Sequence, residues 1–496
     1  MKLHLIAALF LTLPLPALAA DNLPQAVAQV LAEAGPGTRW GAVVADMDGN
    51  EVIAIDPDGR YVPASNTKLF TTAAAFWKLG LPALEEPDQA GRTSAYLIPS
   101  KANAPDVVLY GRGDARLSSA NDCKIDCLSA LADSIAKRTR RVGNVTGDDT
   151  MFLDQRWSPG MSWNNIPTDS GTGVSALSLD DNEAVVTVRP GKDGGLPLVT
   201  GPGYFTYENR AATYSKMVMT DAVGPPPIRS ALPVSADEPK PIAFTRMPGS
   251  RLVQITGAIK LGAAPIKLVL GIDDPSDYTV WTFAQMLRAQ GVEITGEISR
   301  EPIPAAEVAI SSAEGFNADT DQAAPPLIED LTIINKVSQN LHAELLLRRL
   351  GATDGDGSIE GGQKVVTAML TEAGLKPHQY NFADGSGMST YNRVSPGGVV
   401  AFLRWTHSQP WGAKFKATLP IGGVDGTLKN RFKGTSLEGK IMAKTGTLNA
   451  TNAIAGFLTA KSGKVLVFSA YANDVPDDVR ATALAERALV LIAEAN

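Results

Sequence analysis

Tyr61-Val62-Pro63-Ala64-Ser65-Asn66-Thr67-Lys68 runs into Leu69-Phe70-Thr71-Thr72-Ala73-Ala74-Ala75-Phe76-Trp77-Lys78-Leu79-Gly80, and the rest of the chain is organised around this stretch. The pattern predicts a helix over 66–79, stopped by Gly80. Ser65 stands at the mouth of that helix, with Lys68 three positions on. Residues i and i+3 share a helix face, so the lysine amine can reach the serine hydroxyl. A serine hydroxyl is a weak nucleophile until a neighbouring base takes its proton. A lysine can be that base only where burial or a second cation disfavours its ammonium form. The helix N-terminus adds partial positive charge where an oxyanion would form. Taken alone, Ser-x-x-Lys occurs by chance in many chains.

Two further short motifs follow in order. Ser338-Gln339-Asn340 precedes a helical run at 341–350 that ends at Gly351. Its serine could relay protons between nucleophile, lysine and leaving group, and its amide could hold a substrate carbonyl. By itself Ser-x-Asn is also an ordinary helix N-cap composition. Lys444-Thr445-Gly446-Thr447 falls on a predicted strand over 441–447. There a lysine offers a fixed cation for a carboxylate, Thr445 and Thr447 can hydrogen-bond the same group, and Gly446 lets a ligand backbone lie close. The bland reading of a bare Lys-Thr-Gly is an edge strand with a solvated lysine. The ordered triple is far more specific than its parts, being a signature of class A β-lactamases and penicillin-binding proteins.

Outward from these motifs, residues 39–56 read as two strands about a Met47-Asp48-Gly49-Asn50 turn. From about 91 to 308 the texture changes to short apolar alternations broken by Gly, Pro and Asp, as at 106–110 and 184–188, which reads as β-rich inserted structure. Helical patterns return after 325. The last segment carries strand candidates at 441–447 and 465–471 and a closing helix over about 478–494. Helix- and strand-rich flanks around a β-rich middle predict one α/β domain interrupted by a long insertion.

At the N-terminus, 1–19 reads as a secretory signal: Lys2, an apolar run of about eleven residues too short to span a bilayer of roughly 30 Å, and Ala17-Leu18-Ala19 before the expected cleavage. No later apolar stretch is long enough for a transmembrane helix, and export to the periplasm is the expectation. The net charge of −7, with charges scattered, disfavours nucleic-acid binding. Two cysteines, Cys123 and Cys127, predict a local disulfide after export. His342, His378 and His407 are dispersed and no HExxH run occurs, so neither a metal nor another cofactor is expected.

The flanks of the motifs narrow the family. Leu419-Pro420-Ile421-Gly422-Gly423-Val424-Asp425-Gly426-Thr427-Leu428, continuing through Asn430-Arg431-Phe432 to Lys444-Thr445-Gly446-Thr447-Leu448, closely resembles class C low-molecular-mass penicillin-binding proteins. So do Asp384-Gly385-Ser386-Gly387-Met388-Ser389, Gly111-Arg112-Gly113-Asp114 and Ser338-Gln339-Asn340-Leu341-His342-Ala343-Glu344. These are the D-alanyl-D-alanine carboxypeptidase/endopeptidases of cell-wall metabolism, in the penicilloyl serine transferase superfamily. The resemblance implies an α/β fold: an antiparallel sheet with helices on both faces and a helical subdomain, built from 20–90 and 309–496. It also implies two insertions, one of 91–189 with 265–308 and one of 190–264, which match the long gap between Ser65 and Ser338.

The same resemblance implies the roles: Ser65 as nucleophile, Lys68 as base, Ser338 and Asn340 for proton return and orientation, and Lys444, Thr445 and Thr447 for the substrate carboxylate. Backbone N–H groups of Ser65 and Thr447 would form the oxyanion hole. Its implied partners are peptidoglycan stem peptides and cross-bridges, and β-lactam antibiotics. Family members carry an arginine directly after the Asp-Gly-Ser-Gly-x-Ser stretch, which helps hold a free charged end of the peptidoglycan side chain. This sequence has Thr390 there, with Arg393 nearby. Two other readings share the fold: a β-lactamase, which would deacylate penicillin quickly, and a non-catalytic wall-binding or sensor module.

Overall fold

The computed structural model describes residues 22–100, 104–215, 239–300, 317–318 and 324–496. The expected signal segment, 1–19, lies outside them. Among the described residues no helix is long and apolar enough to cross a membrane.

The two ends of the chain assemble one five-stranded antiparallel sheet in the order Glu51–Ile55, Arg39–Asp46, Val465–Asn473, Thr451–Thr459, Ile441–Leu448. Successive strand residues face opposite sides, so one chain pattern serves two cores. Val43, Ala45, Phe457 and Val467 pack on the helices Lys68–Leu79, Ile359–Glu372 and Pro396–Ser408. Val44, Ile454, Leu458, Leu466 and Phe468 face the helices Leu23–Ala32 and Ala481–Ala495. The helix Lys68–Leu79 is buried along all of its first nine residues. Such a helix is a core element, and its first residue, the lysine, is buried with it.

Several elements differ from expectation. The predicted 66–79 helix is a 3₁₀ turn, Ala64–Thr67, followed by the α-helix Lys68–Leu79. With three residues per turn, the 3₁₀ segment eclipses positions 65 and 68 and strengthens the expected pairing. The interior strand Thr451–Thr459 was not expected; it is reached through a tight reversal in which Ala450 takes φ +53°. Its Ala-Ile-Ala-Gly core carries little of the β-branched and aromatic bias that marks a strand.

The region between the flanks is not only β. Its largest sheet runs Ile298–Arg300, Val145–Asp148, Asp106–Tyr110, Ser94–Ile98, Asn317–Ala318. Two helices, Leu128–Arg138 and Pro275–Ala289, share its core. The first buries Leu128, Leu131, Ala132, Ile135 and Ala136, a helical spacing that the surrounding Gly- and Pro-rich texture conceals. Asn317–Ala318 pairs with Ala95–Tyr96, so this strand goes with the inserted sheet and not with the 309–496 segment where it was expected. A two-residue edge strand has no periodicity to read.

Cys123 and Cys127 are disulfide-bonded, closing a loop that ends at the helix Leu128–Arg138. Protein refolded under oxidising conditions is expected to show no titratable thiol. Reduction should cost less than the about 3 kcal/mol associated with a fifteen-residue loop, because this loop is shorter. Thermal unfolding with and without reductant measures it; a larger loss would mean that the loop organises more than itself.

Candidate active site

Ser65 sits in the 3₁₀ turn after a short bridge from Tyr61 to Val394. Ala64 before it takes φ +47°, a conformation that a non-glycine residue keeps only when its surroundings hold it. Two glycines do the holding. A Cβ on Gly387 would lie 1.9 Å from the Ala64 carbonyl oxygen, and one on Gly446 would lie 2.6 Å from that of Pro63 and 3.0 Å from the Ser65 nitrogen. Gly446 therefore makes room for the backbone of the Ser65 turn.

Lys68 is wholly buried, and its Nζ lies 3.0 Å from Ser65 Oγ, 2.7 Å from Asn340 Oδ1 and 2.6 Å from the Ser386 carbonyl oxygen. Burial brings its pKa down to about 7, against the upward pull of the Asp384 and Glu344 carboxylates. A neutral amine has two N–H donors and one lone pair. Two of the three neighbours, the Asn340 amide oxygen and the Ser386 carbonyl oxygen, can only accept, so they take both N–H groups and the lone pair is left for the Ser65 hydroxyl proton. In its neutral form the Lys68 amine thus turns its lone pair toward Ser65.

Ser338 takes φ +69° ahead of the helix Asn340–Ala352, and its Oγ lies 2.8 Å from Lys444 Nζ. Lys444 is also buried and donates its second bond to the Thr445 carbonyl at 2.9 Å. Burial, then the neighbouring Lys68, push its pKa well below the ordinary lysine value. Thr445 Oγ1 bonds Thr427 Oγ1 at 2.7 Å, while Thr447 is exposed at the strand's edge. The Asn340 amide, expected to face a substrate carbonyl, accepts from Lys68 and donates to the Ser170 carbonyl of the insertion at 3.1 Å. One amide N–H remains for a ligand. Beside these groups lies a small cleft lined by Trp157, Met161, Ser170, Asn340, Ser386 and Met388.

Residues 23–495 match the D-Ala-D-Ala carboxypeptidase 3 (S13) family. The chain belongs to that family. The D-alanyl-D-alanine carboxypeptidase of Actinomadura sp. (strain R39) is 30% identical over 458 residues, 88% of this chain and 78% of that one. The D-alanyl-D-alanine carboxypeptidase DacB of Haemophilus influenzae is 23% identical over 446 residues, 88% of this chain and 86% of that one. The crystal structure of penicillin binding protein 4 (dacB) from Haemophilus influenzae superposes with a TM-score of 0.74 at 20% identity, over 93% of this chain and 98% of that one. This S13 chain is therefore a serine hydrolase of the D-Ala-D-Ala carboxypeptidase type, with the α/β penicillin-recognising fold and its extra domains.

Several residues at this S13 site escaped the sequence reading. Asn66 donates to the Lys444 carbonyl at 2.9 Å and so ties the first motif to the third. Glu344, buried, accepts the backbone N–H groups of Gly385 and Ser386 at 3.0 and 2.9 Å and pairs with Arg348. Asp384 accepts from the N–H groups of Gly387 and Ser389 and from the Asn392 amide. Burial first, then Glu344, raise its pKa to about 6. Together the two carboxylates shape the loop that offers the Ser386 carbonyl to Lys68. Both lie in stretches quoted above for their resemblance, which was the available signal. Arg393 Nη1 donates to the Thr390 and Asn392 carbonyls, each at 2.7 Å.

Proposed function

We propose that the chain is an exported, periplasmic carboxypeptidase and endopeptidase that trims and cuts peptidoglycan peptides through an acyl-enzyme on Ser65. The observation that carries this reading is the buried Lys68 amine, 3.0 Å from the Ser65 hydroxyl with both N–H groups claimed elsewhere. Lys68 takes the hydroxyl proton while Ser65 Oγ bonds the carbonyl carbon between two terminal D-alanines. The developing oxyanion meets the N–H groups of Ser65 and Thr447. As the C–N bond breaks, the proton passes through Ser338 to the leaving amine, and D-alanine departs. Water, losing its proton to the same base, attacks the ester; the peptide leaves as a carboxylate and Ser65 regains its hydroxyl. Lys444, Thr445 and Thr447 hold the terminal carboxylate. No cofactor enters these steps.

A cross-bridge cut by the same route gives endopeptidase activity, and penicillin, whose carboxylate takes the place of the terminal one, acylates Ser65. With Thr390 in place of the arginine, a weaker preference for a free charged end on the peptide side chain is expected.

Intact-mass measurement after exposure to penicillin, followed by peptide mapping, tests the reading. One adduct per chain, on Ser65 and released slowly, together with D-alanine release from a D-Ala-D-Ala peptide, is expected. Labelling at another serine would overturn the assignment. Rapid release of the adduct would mean a β-lactamase, and no turnover of peptide a binding module.

A further inference from the structure

His342 has no part in the steps above, yet it is built into their scaffold. It lies two residues beyond Asn340 on the same helix and is only 4% exposed. Its Nδ1 is 2.5 Å from Asp330 Oδ1 on the helix Leu327–Lys336, and its Nε2 is 2.7 Å from Asp181 Oδ1 in the insertion. An ionised carboxylate accepts but does not donate, so two such partners call for a proton on both ring nitrogens. The ring is an imidazolium joining three segments.

The insertion's side of this tie is held under strain. Asp180, Asp181 and Asn182 take φ of +50°, +56° and +54°, a run of non-glycine residues in the left-handed region. Side-chain bonds anchor it at both ends. Asp180 accepts from Ser118 Oγ and the Ser119 N–H at 2.9 and 2.8 Å, and the Asn182 amide bonds the Leu179 N–H and the Gly173 carbonyl at 3.0 and 2.9 Å. The turn so anchored presents Asp181 to His342. A few residues away, the same insertion presents the Ser170 carbonyl to the Asn340 amide.

We propose that the Asp330–His342–Asp181 tie is a positioning device for acylation, by which the insertion sets the place of Asn340 and, through it, of Lys68 Nζ. His342 is a positioning residue and touches no reacting atom. The inference rests on the reading of Lys68 and Asn340 given above. The insertion thereby gains a role in the chemistry, since one anchored turn and one loop carbonyl together fix the start of the helix that bears the second motif. Small displacements of such a group matter, since a shift of about 1 Å can cost a hundred-fold in rate.

The groups that face His342 are Asp330 from the helix Leu327–Lys336 and Asp181 from the insertion, with Arg116 and Arg349 acting on Asp330. Burial pulls the His342 pKa down, but the two carboxylates outweigh it and raise it to about 10. The tie therefore holds throughout the neutral range. Removing one carboxylate brings that limit down toward neutrality.

The test compares the full-length protein with Asp181→Asn and His342→Gln. The second-order rate of acylation by a fluorescent penicillin is measured per folded molecule from pH 6 to 10, well below each protein's unfolding temperature. Ring ¹⁵N spectra follow the protonation of His342. The parent should keep both ring protons at pH 9. In Asp181→Asn the titration should move down by about one unit or more, and the acylation rate relative to the parent should fall as pH rises through the new value. In His342→Gln the rate should drop about ten- to a hundred-fold at every pH. Burial lowers the Lys68 pKa to about 7 in the parent, so the pH-dependent fall in Asp181→Asn is read above pH 8, where the Lys68 amine is already neutral.

Parent-like rates in the variants, with only the unfolding temperature lowered, would overturn the inference and leave His342 a structural tie. If His342→Gln does not fold, Asp181→Asn decides: the Asp181 side chain is 44% exposed, and an asparagine keeps an acceptor there. A parent that penicillin does not acylate on Ser65 would refute the proposed function instead, so the two failures are distinct.

Discussion

Lys68→Ala is expected to slow both penicillin acylation and D-Ala-D-Ala hydrolysis by about 10³- to 10⁴-fold, the upper part of the range for a positioned general base. The alanine leaves Ser65 with no group to take its proton, and leaves the Asn340 amide oxygen and the Ser386 carbonyl without the bonds that Lys68 made. Two buried acceptors losing partners cost about 1–3 kcal/mol each, so the variant should also melt lower. Rates must then be taken per folded molecule. The parent supplies an independent check through pH. The neutral amine is the base, so acylation should rise with pH through about 7 and fall about ten-fold per unit below it. A Lys68→Ala protein that still acylates at a tenth of the parent rate would remove Lys68 from the base role. So would a parent rate that is flat from pH 5 to 8.

The sequence carried the reacting groups but little of what holds them. Ser65, Lys68, Ser338, Asn340 and Lys444 were legible because each motif is short and its side chains have recognisable chemistry. The structure brings them together from three distant segments, with Lys68 bonded to Asn340 and Lys444 bonded to Ser338. Glu344, Asp384 and Asn66 were not legible as site residues. Glu344 and Asn66 act on backbone groups far away in sequence, which no local pattern records, and Asp384 holds its own loop through Gly387, Ser389 and Asn392, a local role with no reacting chemistry to announce it. Gly446 was legible in part: a missing Cβ shows that something lies close, without showing what, and in this fold the turn that carries Ser65 is one such neighbour.

The fold divides along the same line. The 39–56 hairpin announces itself through its Met47-Asp48-Gly49-Asn50 turn and the 66–79 helix through its Gly80 stop, and the structure has the hairpin and, from Lys68, the α-helix. Thr451–Thr459, the fourth strand in the sheet order, lies between two neighbours and is buried on both faces. A strand of that kind loses the alternation that exposes one face to water. The insertion's helices are lost among loop-forming residues.

Lys444→Ala should lower kcat/KM on a peptide ending in a free carboxylate by about ten- to a hundred-fold, the value of one charge-assisted contact of roughly 1.5–3 kcal/mol. The same peptide amidated at its terminus should be poor with the parent and lose less in the variant. The structure adds a second role for this residue. Its Nζ bonds Ser338 Oγ at 2.8 Å and the Thr445 carbonyl at 2.9 Å, and it is fully buried. Its removal therefore also frees the proton-relay serine, which would slow acylation by every substrate, amidated or not. Lys444→Met keeps the aliphatic stem and limits the loss of packing, so it separates a cavity effect from the loss of the amine. The measurement is a comparison of two peptides with three proteins. A loss on the carboxylate peptide several-fold beyond that on the amide assigns Lys444 to carboxylate binding. Equal losses on the two peptides would assign it to Ser338 and the proton path alone, and the carboxylate would then belong to the Thr445 and Thr447 hydroxyls.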